Sequence, residues 1–182
     1  MNDSEAPPVE EAFRFCPRCG NPSSEIGKIP FQCEKCGMAC YFGPVAAVGA
    51  LITDHQNRLL LVRRARNPGR GKWGLPGGFV DRDETVEQAL DREVCEETGL
   101  VVTSCRLLMT RPNQYVYTGV RSPVIDLFYC CQVADIDHVA LEPSELEHHE
   151  WAWPESRHLE NMAFDSNRIA VLAWMKEVKA AD

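Results

Sequence analysis

Three absences set the first limits on this 182-residue chain. It has no apolar run long enough to span a bilayer. Its first residues, Met1-Asn2-Asp3-Ser4-Glu5-Ala6-Pro7-Pro8, are acidic and proline-rich and carry no hydrophobic stretch, so they do not read as a signal peptide. Positive charge is scarce: 19 Lys and Arg stand against 27 Asp and Glu, a formal net charge of -8. That balance argues against duplex nucleic acid as the main partner, because such proteins present a basic face. No internal repeat and no low-complexity run beyond the leader are present. The reading is a cytoplasmic protein without membrane contact.

Cysteine, by contrast, is plentiful. Nine are too many for disulfides to be the first explanation in a reducing compartment. Five fall between Phe13 and Tyr41, a stretch rich in turn residues and poor in apolar runs. Cys16-Pro17-Arg18-Cys19 and Cys33-Glu34-Lys35-Cys36 form two Cys-x-x-Cys pairs, each followed by glycine at Gly20 and Gly37. Two intervening residues let both sulfurs face one ion, and glycine relieves the tight turn. Four thiolates suit a closed tetrahedral zinc site, and a closed site is architectural. A redox motif needs only one pair in a βαβ setting, which is missing here. Cys40, Cys95, Cys105, Cys130 and Cys131 read as packing residues.

The chain therefore divides into a disordered leader over 1–12, a zinc ribbon over 13–43 and a larger domain over 44–178. In the larger domain, Val45–Thr53 and Arg58–Arg64 read as a β-hairpin around Asp54-His55-Gln56-Asn57. A loop over 67–78 holds two prolines and five glycines. Thr85 to Thr98 reads as a helix stopped by Gly99. Leu100–Thr110, Pro123–Val133 and Glu150–Trp153 read as strands, with a turn at Tyr117-Thr118-Gly119. A last amphipathic helix begins at Asp165 or Ser166 and presents Ile169, Leu172 and Met175 inward. Fold class is α/β.

The chemistry concentrates on the first helix. Glu93, Glu96 and Glu97, spaced i, i+3 and i+4, project from one face within a narrow arc. Three like charges so close either form a solvated surface or surround a divalent cation. Magnesium fits: it is hard, prefers oxygen, and bridges carboxylates to phosphates. The preceding Leu75-Pro76-Gly77-Gly78 lets a phosphate approach the backbone and offers carbonyls as further ligands.

Taken together, Gly78, Glu84, Arg92, Glu93, Val94, Glu96, Glu97, Gly99 and Leu100 match every defined position of G-x5-E-x7-R-E-U-x-E-E-x-G-U, where U is apolar. This resembles the Nudix box, and with the Gly71–Val80 approach the resemblance extends over roughly residues 44–176. It implies an α/β/α sandwich with a mixed sheet, here preceded by a small zinc ribbon. It also implies Mg²⁺ or Mn²⁺ on Glu93, Glu96 and Glu97, one of which positions or deprotonates water. Arg92 would orient Glu93, Glu84 would brace the loop-helix-loop, and a carbonyl near Gly77 or Gly78 would complete the site. Water would then attack phosphorus in a diphosphate and release two phosphorylated halves.

A zinc ribbon joined to such a domain is similar to the NADH pyrophosphatases and to neighbours acting on FAD or ADP-ribose. The NADH group carries a downstream S-Q-P-W-P-F-P marker; Met109–Tyr117 here reads MTRPNQYVY. Tyr115 and Tyr117 occupy the place where substrate-selecting residues fall, as stacking platforms or as ordinary strand residues. A further acid is expected from a late loop holding Glu142, Glu145, Glu147 and Glu150, with Glu145 or Glu147 preferred. His148, His149 and His158 read as surface residues. One or two of Arg63, Arg64, Arg66 and Arg70 could meet phosphates. A nucleoside-triphosphate pyrophosphohydrolase and a non-catalytic nucleotide sensor remain as alternatives. Sensors lose box carboxylates, and this chain keeps them all. The substrate is a small nucleotide; a nicotinamide-type cap on RNA offers the same bond. Related proteins are dimers, so a homodimer is expected from resemblance alone.

Overall fold

A computed structural model describes residues 6–181. Of the expected leader, residues 1–5 lie outside that range. The chain falls into two compact units, Met1–Val45 with Gln114–Val124, and Ala46–Asn113 with Ile125–Asp182.

In the first unit, residues 7–12 are not the disordered segment that composition suggests. Val9–Ala12 form a helical turn, α1, and the Arg121 N–H donates to the Pro7 carbonyl at 2.9 Å. Two short strands, β1 (Phe31–Gln32) and β2 (Ala39–Cys40), pair antiparallel. Cys16, Phe31 and Cys33 form a small core, with Phe13, Met38, Cys40 and Phe42 packed on it. Phe13 meets the Phe42 ring edge-on at 4.7 Å.

The second unit is built on β3 (Val45–Ile52) and β4 (Leu59–Arg64). Asp54 makes the turn between them, its Oδ1 accepting from the N–H groups of Gln56 and Arg58. The expected hairpin is only partly formed. Beyond a Thr53–Leu59 bridge the two strands enter different three-stranded sheets. One sheet orders β3 beside β7 (Val120–Val133) and then β6 (Val102–Tyr117). The other places β4 between β5 (Trp73–Gly74) and β8 (Leu146–Ala152), antiparallel to both. The strand expected from Leu100 to Thr110 thus runs on to Tyr117.

Strand alternation separates two apolar layers. Val48, Ala50, Ile52, Leu60 and Val62 face Ala89, Leu90 and Val94 of α2 (Val86–Thr98). Leu51, Leu59 and Leu61 face the other way, onto Ala170, Val171 and Trp174 of α4 (Asp165–Ala181). Helices on both faces give the expected α/β/α sandwich, and both faces of β3 and β4 are buried, hence their near-continuous apolar sequences. Each buried leucine contributes about 2 kcal/mol. The inner face of α4 is Ala170-Val171-Trp174; Ile169, Leu172 and Met175 lie half-buried at its flanks. Trp174 sets that phase by meeting Trp153 at 5.3 Å. A short helix, α3 (Ser156–Leu159), precedes α4. Among the described residues no helix is long and apolar enough to cross a membrane.

Candidate active site

Helix α2 is defined at both ends by local chemistry. Thr85 caps it, its hydroxyl accepting from the Gln88 N–H at 3.2 Å while the Gln88 side chain accepts from the Thr85 N–H at 2.8 Å. Gly99 closes it in the left-handed conformation, donating to the Cys95 carbonyl. The acidic face carries Glu93, Glu96 and Glu97 between those caps.

Arg92 organises this face. Its guanidinium grips Glu84 through two nitrogens at 2.7 and 3.1 Å, reaches Glu93 at 2.7 Å and Glu96 at 3.2 Å, and donates to the Phe79 carbonyl. Glu84 also accepts from the Asp81 N–H, and these contacts hold its carboxyl below the usual range, Arg92 first. Burial pushes the Glu93 carboxyl up, outweighing Arg92. Glu97 is only 5% exposed. Burial, opposed by the Gly77 N–H at 2.9 Å and reinforced by the charges of Glu93 and Glu145, raises it to about 8. Glu96 is largely exposed and turned toward Arg92, so the trio does not converge on one point.

The glycine strip lies directly over these acids. Val48 and Ala50 donate to the Gly78 and Pro76 carbonyls, docking the strip on β3. A Cβ on Gly77 would sit 2.1 Å from the Val48 carbonyl oxygen, and one on Gly78 would sit 2.6 Å from the Glu93 carboxyl. At Gly77 only bare backbone fits, whereas at Gly78 a side chain would displace the Glu93 carboxyl.

The late loop supplies a fourth acid. Ala140 and Glu142 donate their N–H groups to the Thr98 and Glu97 carbonyls, satisfying the end of α2. This brings Glu145 against Glu97, near enough for its charge to raise both Glu93 and Glu97. Glu147 does not join them; it pairs with Arg63 at 3.1 Å. The acidic loop expected through Glu150 ends at Glu145, because Leu146 already begins β8, and Glu150 is bound by Arg157. Arg64 donates to the Pro68 carbonyl and Arg66 to Glu145.

Several expected placements differ. His158 is fully buried against Trp73, 5.2 Å ring to ring, and its Nδ1 accepts from the Glu155 N–H, so it is not a surface residue. His149 is half-buried and His148 exposed. Cys95 and Cys105 are exposed and pack in no core; Cys131 is buried and Cys130 half-buried. Tyr115 is half-buried and Tyr117 exposed, both on the hairpin tip that goes with the other unit rather than with the carboxylates. Asp126 escaped the sequence reading. It is a buried carboxylate on β7 that accepts from the Asn113 side chain at 2.9 Å, and burial raises it. Strand alternation within an apolar run is the one signal that pointed to it.

In the first unit the sulfurs of Cys16, Cys19, Cys33 and Cys36 lie within 4.8 Å of one another. The two knuckles are alike: Gly20 donates to the Cys16 carbonyl and Gly37 to the Cys33 carbonyl, each at 2.9 Å. The Cys16–Cys36 and Cys19–Cys33 sulfurs are 3.6 Å apart. A tetrahedral zinc with its usual sulfur distances would need about 3.8 Å, so the four thiols fit that ion. The Cys36 and Lys35 amides hold Cys33 down to about 7. The Asn21 amide pulls Cys19 down too, but desolvation and the three neighbouring sulfurs push it up to about 11. Four sulfurs this close share negative charge only around a cation.

The NUDIX domain model matches residues 43–175. The chain belongs to the Nudix family. Within it, an ADP-ribose pyrophosphatase from Methanocaldococcus jannaschii is 49% identical over 61 residues, covering 34% of this chain and 36% of that protein. The NAD-capped RNA hydrolase NudC from Vibrio cholerae is 31% identical over 105 residues, 57% of this chain and 38% of that protein. The chain thus spans well under two thirds of these curated relatives. A Nudix hydrolase from Nitrosomonas europaea is 26% identical with a TM-score of 0.65, covering 90% of this chain and 91% of that one. The Nudix domain of Shewanella oneidensis NrtR, solved with ADP ribose, is 25% identical with a TM-score of 0.60, covering 75% and 89%.

Proposed function

We propose that this Nudix protein is a Mg²⁺- or Mn²⁺-dependent hydrolase that cleaves the pyrophosphate of a nucleoside-diphosphate-linked compound of the NADH, FAD or ADP-ribose type. The carrying observation is the gathering of Glu93, Glu97 and Glu145 beneath the Gly77–Gly78 backbone, with Glu97 buried. Carboxyls this close, one of them buried, are stable together as anions only beside a cation. Glu93 and Glu97 would hold it, with Glu96 joining once released from Arg92, together with Glu145 and the carbonyl of Gly77, whose own N–H meets Glu97. Bound there, the metal polarises phosphoryl oxygens and acidifies water.

The chain's own groups do the rest. Arg92 fixes Glu84 and Glu93 as one rigid unit. Gly77 and Gly78 leave the backbone bare for a phosphate. One of the glutamates positions or deprotonates the attacking water. Water adds to phosphorus, the anhydride P–O bond breaks, and two phosphorylated products leave. The names of the relatives, an ADP-ribose pyrophosphatase and a NAD-capped RNA hydrolase, support this substrate class.

The proposal extends to structural zinc on Cys16, Cys19, Cys33 and Cys36 in a ribbon over 13–43, ahead of a Nudix domain over 44–178. A reducing compartment such as the cytoplasm belongs to the same proposal, since zinc-binding thiolates must stay reduced. A homodimer belongs to the same proposal by resemblance.

The test is a hydrolysis screen with Mg²⁺ or Mn²⁺ over NADH, NAD, FAD, ADP-ribose, NAD-capped RNA and nucleoside triphosphates, with products identified by mass. Two monophosphates from one diphosphate-linked compound are expected, and Glu97→Gln should abolish that turnover in a folded protein. Pyrophosphate release from triphosphates, or no turnover at all with metal bound, would replace the proposal.

A further inference from the structure

The acids of the site are braced from outside by arginines, and Glu145 has one of its own. Arg66 donates to the Glu145 carboxylate at 2.7 Å across 79 positions of sequence. Its neighbour Ala65 donates its N–H to the Glu145 carbonyl, also at 2.7 Å. Main chain and side chain of two consecutive residues therefore clamp one glutamate.

The clamp depends on an irregularity in the sheet. β4 and β8 pair in step from Leu59 opposite Ala152 to Arg63 opposite His148, then slip, so that Arg64 faces Leu146. A bulge of this kind re-aims the residues beyond it. Here it turns Ala65 and Arg66 onto Glu145 while Arg63 stays with Glu147 and Arg64 with the Pro68 carbonyl. Glu145 is thereby held against Glu97 from one side by the loop docked on α2 and from the other by Arg66.

We propose that Arg66 is a positioning residue for the divalent-cation site: it fixes the Glu145 carboxylate so that the cation gains a ligand already in place. The inference rests on the metal-dependent reading above. Charge alone predicts the opposite sign. Removing a cation from beside an acidic cluster strengthens that cluster's attraction for Mn²⁺, whereas loosening a ligand weakens it. Partners that orient metal ligands are worth about 10–100-fold in affinity.

The experiment is Mn²⁺ titration of the whole chain, without substrate, followed by electron paramagnetic resonance. Arg66→Ala should weaken Mn²⁺ by about tenfold, and Arg66→Lys should recover part of the loss. Glu145→Gln should weaken binding similarly, and the double variant should bind no worse than Glu145→Gln alone. At saturating metal the KM of Arg66→Ala should stay near that of the unaltered chain. Unchanged or tighter Mn²⁺ binding in Arg66→Ala, beside a weakened Glu145→Gln, overturns the positioning role and leaves the hydrolase reading standing. A KM raised in Arg66→Ala at unchanged Mn²⁺ affinity also overturns it and makes Arg66 a phosphate contact. Failure of the unaltered chain to bind Mn²⁺ would overturn both.

Discussion

Gly78 and Glu97 separate what the fold needs from what the site needs. At Gly77 an added Cβ meets backbone, the Val48 carbonyl, so any side chain there must displace a strand. At Gly78 it meets only the end of the Glu93 side chain, which can move. Gly78→Ala should therefore leave the melting temperature nearly unchanged while lowering kcat about 100-fold, the scale of a misplacement near 1 Å. Equal losses of stability and rate would mean the strip itself has shifted. Glu97 carries a different consequence. Its carboxyl is raised from 4.5 to about 8, chiefly by burial. The stability it contributes is full below about 4.5 and is lost as pH rises toward 8, because the folded chain must bury an anion. Without added metal the protein should soften across pH 5–8. The rise in melting temperature on adding Mg²⁺ should grow over the same window, and Glu97→Gln should flatten it. Parallel melting curves with and without Mg²⁺ would count against a cation at this carboxyl.

Elements whose determinants are local were legible from the sequence, and those set by docking were not. Helix α2 follows from Thr85, Gln88 and Gly99, all within one segment. The cap can be tested apart from the chemistry: Thr85→Ala should cost about 1 kcal/mol in thermal or urea unfolding and leave KM unchanged, since the Thr85 hydroxyl serves the Gln88 N–H of the helix end. Glu145 is the contrary case. Sequence places it among four acids and prefers two, Glu145 and Glu147, with equal weight. What separates them is the hold of Ala140 and Glu142 on the last carbonyls of α2, together with a one-residue slip between β4 and β8. Neither leaves a local mark in the residues. The phase of α4 escaped for a similar reason. Ile169-Leu172-Met175 and Ala170-Val171-Trp174 both satisfy helical spacing, and Trp153, just past the end of β8, decides between them. His158 likewise looks like a surface residue until Trp73 covers it.

At the scale of the whole molecule, two compact units meet different requirements. The larger unit has two apolar layers and can hold itself together by burial. Among the described residues, the core cluster of the smaller is Cys16, Phe31 and Cys33, far too little to fold a segment of its size unaided. Such segments need a staple, and the zinc proposed for the four thiols would supply one. The cysteine spacing made the meeting of the four sulfurs readable, whereas the return of Gln114–Val124 to the same unit was not, because it depends on β6 and β7 running past their expected ends. The staple predicts a division of effects. Cys19→Ser should remove zinc, measured as metal per chain by mass spectrometry, and should lower the first melting transition. Hydrolysis per folded molecule should fall much less, because Glu93, Glu97 and Glu145 all belong to the other unit. Unchanged zinc content in that variant would refute the four-thiolate site. Full loss of turnover with α2 still folded would overturn that division of effects.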